Sequence, residues 1–133
     1  MPTRVLFLCP HSAGKSLLGA TYFRAAAARH GLDVELDVAG PDPDETNMPN
    51  VQAALEAQGH RIDWTPKLVT ADHTEAADVI VSVGCSADSI PTDQAMTEWD
   101  VPMLSEDFHG SMQAIHAEAE AMAAAWARST TAS

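Results

Sequence analysis

The sequence predicts an α/β domain built on a parallel β-sheet, with helices covering both faces of that sheet. Three observations carry the prediction. Arg4 to Cys9 (RVLFLC) is an apolar run suited to a strand buried on both faces, and Asp78 to Gly84 (DVIVSVG) is the clearest strand in the chain. Segments with helical spacing lie between the strand-like runs, so that β and α units alternate. Finally, 133 residues that are 46% hydrophobic suffice for one domain with a real core, and they do not resemble a disordered chain.

The elements follow in order. Arg4 to Cys9 forms the first strand, and Pro10 to Gly14 breaks it. Lys15 to His30 reads as a helix, with Leu17, Leu18, Tyr22 and Phe23 at helical spacing, four consecutive alanines, and Gly31 as the stop. Val34 to Val38 alternates like a second strand and leads to Gly40; Pro41 to Asn47 is a loop. Val51, Ala54, Leu55 and Gln58 outline a second helix closed by Gly59. Thr70 can cap a short helix over 70–77, which runs into the strand at 78–84 with Cys85 at its end. Val101 to Leu104 is a weaker fourth strand. Ser111 to Arg128 is an Ala-rich last helix with Met112, Ile115, Met122 and Trp126 inward. The domain is thus expected to occupy residues 1–128, with 129–133 as a frayed tail.

Charge narrows the function. Residues 1–32 hold four cations, Arg4, Lys15, Arg24 and Arg29, and no acid. The remainder holds all nineteen acids against Arg61, Lys67 and Arg128, for a net charge of −12. Such a chain is poorly suited to nucleic acid or an anionic membrane surface, because phosphate contacts are made by lysine and arginine. A small anion bound near residue 15 is compatible with it. No apolar run approaches the ~20 residues of a membrane span, and the start does not read as a signal peptide. Two cysteines, Cys9 and Cys85, are too few for a disulfide scaffold, so a reducing, cytoplasmic setting is expected.

The turn after the first strand carries the chemistry. It reads Cys9-Pro10-His11-Ser12-Ala13-Gly14-Lys15-Ser16. A short loop entering a helix aims free backbone N–H groups at one point, and the helix dipole adds about half a positive charge there. Such a point is an anion site, and it favours a neighbouring cysteine as its thiolate. A thiolate beside an oxyanion cradle is equipped to attack phosphorus or arsenic. Two other readings compete. The ending Gly-Lys-Ser is that of a nucleotide-binding P-loop, but that motif needs glycine at Cys9, and no later strand ends in an aspartate for magnesium. Alternatively, Cys9 is a buried thiol and the turn a plain connection; its length, glycine and lysine argue against this.

The chain resembles the low-molecular-weight tyrosine phosphatase superfamily, and within it the thiol-dependent arsenate reductases. The superfamily loop is C-x5-R-[ST], and the reductase branch has a His-Asn-Ala-Gly-Arg-Ser version, matched by His11 to Ser16. The likeness continues through Val38-Ala39-Gly40, Gly59-His60-Arg61, Pro66-Lys67-Leu68, Glu75 to Asp78, Gly84-Cys85 and Glu98-Trp99-Asp100. It implies a single three-layer domain with a four-stranded parallel sheet in order 2-1-3-4. It also implies Cys9 as nucleophile, Ser16 supporting its thiolate, and Pro10, His11, Ser12, Ala13, Gly14, Lys15 and Ser16 around a phosphate-, arsenate- or sulfate-like anion. Cys85 falls where the reductases place a second, relaying cysteine. A low-molecular-weight thiol or a thioredoxin-like protein would then serve as reductant.

Departures fall on working positions. The family's loop arginine is Lys15, a point charge in place of a planar fork. Its loop asparagine is Ser12. Its acidic Asp-Pro pair becomes Met103-Leu104, which leaves Asp100, Glu106 and Asp107 as nearby carboxylates, Asp100 and Asp107 being the candidate acids. Ser86 to Pro91 holds no third cysteine. The expectation is therefore an oxyanion enzyme with altered machinery, or an anion-binding or thiol-redox protein on the same scaffold. His60, His73, His109 and His116 lack metal-ligand spacing, and neither a metal nor another cofactor is expected.

Overall fold

The computed structural model describes residues 2–85 and 89–131. Strand β1 (Thr3–Leu8) leads into helix α1 (Lys15–Arg29), then strand β2 (Val34–Ala39) and helix α2 (Pro49–Ala57). Helix α3 (Ala71–Ala76), strands β3 (Val79–Ser82) and β4 (Thr97–Glu98), and helix α4 (Phe108–Thr131) complete the order. The sheet runs β2-β1-β3-β4, and every pairing is parallel. The order and strand number match the expectation. In register, β1 sits between its two neighbours, with Val5 opposite Leu36 on one side and Val79 on the other.

Side chains on β1 point alternately to opposite faces, so both must be covered for the strand to be apolar throughout. Val5 and Phe7 enter a core built with α1, α2 and α4; Leu6 and Leu8 enter a second core with Ala77, Ile80, Cys85 and Ile90. All four β1 side chains are buried. Phe7 is central, with the rings of Phe23 and Trp99 at 5.9 and 5.6 Å, a spacing at which aromatic pairs attract beyond their area burial. Gly19 makes room for it, because a Cβ there would meet Phe7 Cδ1 at 2.9 Å. The long α4 lies chiefly against α1, through Met112, Ile115, Ala119 and Ala123.

Three expectations are corrected. The fourth strand is Thr97–Glu98, paired with Val81 and Ser82, and not 101–104. Pro102 has no N–H to give a ladder, whereas Trp99 N–H continues the pairing to Ser82 O at 2.9 Å. Helix α4 begins at Phe108, three residues early, because Asp107 caps it: its Oδ1 accepts from Gly110 N at 3.0 Å. The helix also runs on to Thr131, past the expected end at Arg128, because no breaker interrupts the sequence; residues 132 and 133 lie outside the described residues. At α3, Thr70 and His73 form a reciprocal cap, with Thr70 N donating to His73 Nδ1 at 3.0 Å.

Candidate functional site

The site begins where β1 stops. Pro10 cannot extend the ladder, and the chain turns through Ser12, the one non-glycine residue among those described with positive φ (55°). That region suits glycine and tolerates asparagine, whereas serine adopts it at a cost. The surroundings hold Ser12 in place: it is fully buried, its N–H donates to Cys9 O at 3.3 Å, and its Oγ accepts from Lys67 N at 3.3 Å. Gly14 is the N-cap of α1 and offers no side-chain cap, so the helix start stays open.

The segment 40–48 determines which way the loop's polar groups point. Asp42 N donates to Pro10 O, Asp44 N to His11 O and Met48 N to Ala13 O, each at 3.0 Å. With three carbonyls drawn to one side, the amides are left for the other. Among the described residues, the N–H groups of His11, Ala13, Gly14, Lys15 and Ser16 have no protein acceptor. Pro10, counted among the anion-binding residues from sequence, has no N–H and contributes shape only. Gly40 lets this segment approach: a Cβ there would lie 2.3 Å from Cys9 O, 2.9 Å from Ser12 N and 3.0 Å from Pro10 O. Met48 and Leu104 close over Gly14 from outside.

Cys9 is 3% exposed, and its Sγ donates to the buried Ser16 Oγ at 3.1 Å. When the thiol ionises, the hydroxyl can turn and donate to the thiolate, so the same pair supports the anion. Cys85 is the second free thiol, also buried. Val83 N donates to Leu8 O at 2.7 Å, which ties the ends of β1 and β3 together one residue before Cys9 and two before Cys85. Burial first, and then the charge on Cys9, push the Cys85 thiol up to about 12; Lys15 opposes them.

Lys15 does not stand free above the loop. Its ammonium rests on Gly84, where a Cβ would come within 2.4 Å of Nζ and 3.4 Å of Cε. Gly84 has φ 89°, a left-handed conformation that also favours glycine. Beside it opens a cavity of about 490 Å³ lined by Ser82, Gly84, Cys85, Glu98, Trp99 and Asp100.

The structure therefore brings together Cys9, Ser16, Lys15 and Cys85, with Asp100 on the cavity that Cys85 shares. It engages Asp107 in the α4 cap. His11 turns outward: Nδ1 lies 2.9 Å from Asp42 O, 3.6 Å from an Asp42 carboxylate oxygen and 3.7 Å from one of Asp44. The stretch expected to lack a third cysteine includes 86–88, outside the described residues. Among the described residues no group of three or more His, Cys, Asp or Glu could hold a metal ion, and no helix is long and apolar enough to cross a membrane. Sequence reasoning missed the 42–48 donors and the Gly84 seat. Gly40 was visible as a strand terminator and within the likeness at Val38-Ala39-Gly40, but not as a contact with the loop.

A parallel α/β domain that presents a cysteine on its first βα turn, in a loop whose amides lack protein acceptors among the described residues, defines a class of thiol proteins suited to oxyanions. Within that class the chain belongs to the low molecular weight phosphotyrosine protein phosphatase family, whose sequence model matches residues 4–125. Among solved structures it is similar to a thioredoxin-dependent arsenate reductase of Corynebacterium glutamicum, at 28% identity and TM-score 0.70. That match covers 96% of this chain but only 61% of the Corynebacterium chain. An arsenate reductase of Archaeoglobus fulgidus is similar at 26% identity and TM-score 0.69, over 92% of this chain and 98% of that one. A low molecular weight phosphotyrosine phosphatase of Vibrio cholerae, 19% identical over 93% and 96% of the two chains with TM-score 0.74, shares the fold. A search of curated proteins finds no match.

Proposed function

We propose that the protein performs cysteine-dependent chemistry on a small phosphate- or arsenate-like oxyanion, and that its machinery favours two-thiol reduction over phosphate-ester hydrolysis. The observation that carries this reading is the pairing of two buried free thiols at the joined ends of adjacent strands, one of them hydrogen-bonded to Ser16 beneath unpaired amides. A phosphatase needs one such thiol. A reductase that closes a disulfide needs two.

In the first step the Cys9 thiolate attacks arsenic; an S–As bond forms and an As–O bond breaks, its oxygen leaving as water after protonation. Amides of His11, Ala13, Gly14, Lys15 and Ser16 would hold the remaining oxygens. In the second step Cys85, as thiolate, attacks Cys9 Sγ. The S–S bond forms, the S–As bond breaks, and its electron pair reduces As(V) to As(III), released as arsenite. A low-molecular-weight thiol or a thioredoxin-like dithiol then reduces the disulfide by thiol exchange. The similar arsenate reductase of Corynebacterium is thioredoxin-dependent, which supports the second donor. Two free thiols also suit a cytoplasmic setting.

Phosphate-ester turnover is expected to be slow. Lys15 replaces the arginine that the family resemblance implies, its ammonium rests on Gly84, and Met103 and Leu104 stand where an acidic pair is implied. Of the two carboxylates expected to replace that acid, Asp100 borders the Cys85 cavity and is the better placed. The seating of Lys15 favours a second reading, in which the cradle holds an oxyanion without turnover.

The test is single-turnover treatment with arsenate followed by alkylation and intact-mass measurement. Stoichiometric arsenite and one internal Cys9–Cys85 disulfide support the reduction. If phosphate stabilises the protein but arsenate leaves both thiols alkylatable, the binding reading stands instead. Aryl-phosphate turnover at ordinary phosphatase rates would overturn the preference for reduction.

A further inference from the structure

We propose that Lys15 acts on Cys85: its ammonium, seated on Gly84, is a positioning charge that brings out the Cys85 thiolate once the negative charge on Cys9 has been consumed. The inference rests on the reading that Cys9 is the first thiol to react, and it gives that reading an internal order.

Lys15 opens α1, directly after the loop, and its side chain crosses to the end of β3. A Cβ on Gly84 would lie 2.4 Å from Nζ, so a side chain there would push the ammonium off its seat. Gly84 precedes Cys85 directly, and the turn at φ 89° carries the chain from one to the other. Ser82 Oγ donates to Cys85 O and accepts from Cys85 N, both at 3.1 Å, which fixes the backbone that carries the thiol. The backbones that carry the lysine and the thiol are therefore both set at strand–helix junctions, and the lysine side chain spans from one to the other. Among the described residues, no carboxylate pairs with Lys15 and competes for its charge.

Charge then supplies the timing. Among the described residues, the charged or titratable groups near Cys85 are Cys9 from the end of β1, Lys15 from α1, and Glu98 and Asp100 on the shared cavity. While Cys9 is a thiolate, a second thiolate beside it is disfavoured, because like charges repel in a poorly solvated site. Covalent capture takes the charge off the Cys9 sulfur and leaves the adduct's oxygens to the loop amides, with Lys15 as the cation beside Cys85. The same lysine that would weaken a phosphatase thus has a use in a two-thiol protein. Cys85 stays silent until there is an adduct to attack, and this ordering needs neither a third cysteine nor a moving segment.

The test reads the pH profile of Cys85 alkylation by iodoacetamide, followed by mass spectrometry, with no oxyanion present. Burial raises the midpoint in every variant alike, so the differences between variants report the charges around Cys85. In Cys9→Ser, which leaves Cys85 as the one cysteine, the midpoint is expected about one pH unit below that of Cys9→Asp, so alkylation at fixed lower pH is about tenfold faster. Adding Lys15→Met to Cys9→Ser moves the midpoint back up by about a unit, while Lys15→Arg restores it. Gly84→Ala, which displaces the ammonium without removing it, should act like Lys15→Met. A Cys85 profile unmoved by both Lys15→Met and Gly84→Ala in proteins that still melt cooperatively overturns the proposal. So does equal reactivity in Cys9→Ser and Cys9→Asp. Since no arsenate is used, this outcome is independent of whether arsenate yields the disulfide, and the two ideas can fail separately.

Discussion

Gly40→Ala tests whether the cradle is shaped from outside the loop. The added Cβ would meet Cys9 O at 2.3 Å, where ordinary contact begins at 3.4 Å, and would also crowd Ser12 N and Pro10 O. All three atoms are backbone, so no rotamer change relieves the clash; strand end and loop must part by about 1 Å. Overpacking of this kind costs about 1–3 kcal/mol. At about 2.1 cal/mol/K of unfolding entropy per residue, that is a fall in Tm of roughly 3–11 °C for a chain this size. The second readout is more specific. Phosphate at about a hundred times its Kd should stabilise the parent by about 2.7 kcal/mol, roughly 10 °C, and Gly40→Ala should lose most of that gain. Thermal melts with and without phosphate measure both. Gly59→Ala is the control: at φ 89° it is strained but meets nothing within 4 Å, so it should lose about 1 kcal/mol and keep the phosphate response. Gly40→Ala melting like the parent, or losing stability with its phosphate response intact, would refute the reasoning.

Three further outcomes are expected. Ser16→Ala removes the hydroxyl 3.1 Å from Cys9 Sγ; since a hydrogen bond to a charged group is worth about 1.5–3 kcal/mol, alkylation of Cys9 at neutral pH should slow by about tenfold or more. Asp107→Ala removes the cap on Gly110 N and should cost about 1 kcal/mol in denaturant melts, with the phosphate-induced shift unchanged. The Cys85 thiol is held protonated in the fold, with its value raised from 9.0 to about 12, so the stability it contributes is complete below about pH 9 and is lost as pH rises towards 12. The unfolding free energy should fall by at most about 1.4 kcal/mol per pH unit in that window through this group. Tyr22, raised by its burial, adds a decline of the same sign, so the Cys85 share is read from the shallower slope of Cys85→Ala.

What was legible in the sequence was local or covalently close. Val5 to Leu8 and Val79 to Ser82 announce buried central strands because both their faces are apolar, and a central strand has no other way to be covered. The loop from Cys9 to Ser16 could be read because its eight residues carry the thiol, the helix start and the supporting hydroxyl together. The fourth strand could not, since Thr97 and Glu98 are exposed and polar and pair over two residues only, whereas Val101 to Leu104 looked apolar but is a loop whose Leu104 covers Gly14 and whose Met103 is exposed. The 42–48 donors were invisible for another reason: a backbone N–H has no residue-type signature, and here it acts across some thirty positions. The destination of Lys15 likewise depends on a glycine nearly seventy residues away.

The packing of α4 on α1 has a consequence for synthesis. The thiol and its loop are translated well before α4, the helix that backs α1 and with it the loop. Until that final helix leaves the ribosome, α1 has its apolar side uncovered and nothing to fix the angle at which it leaves the loop. The setting that buries Cys9 and orients its loop is therefore complete only once α4 has packed, so its chemical selectivity is a property of the assembled domain.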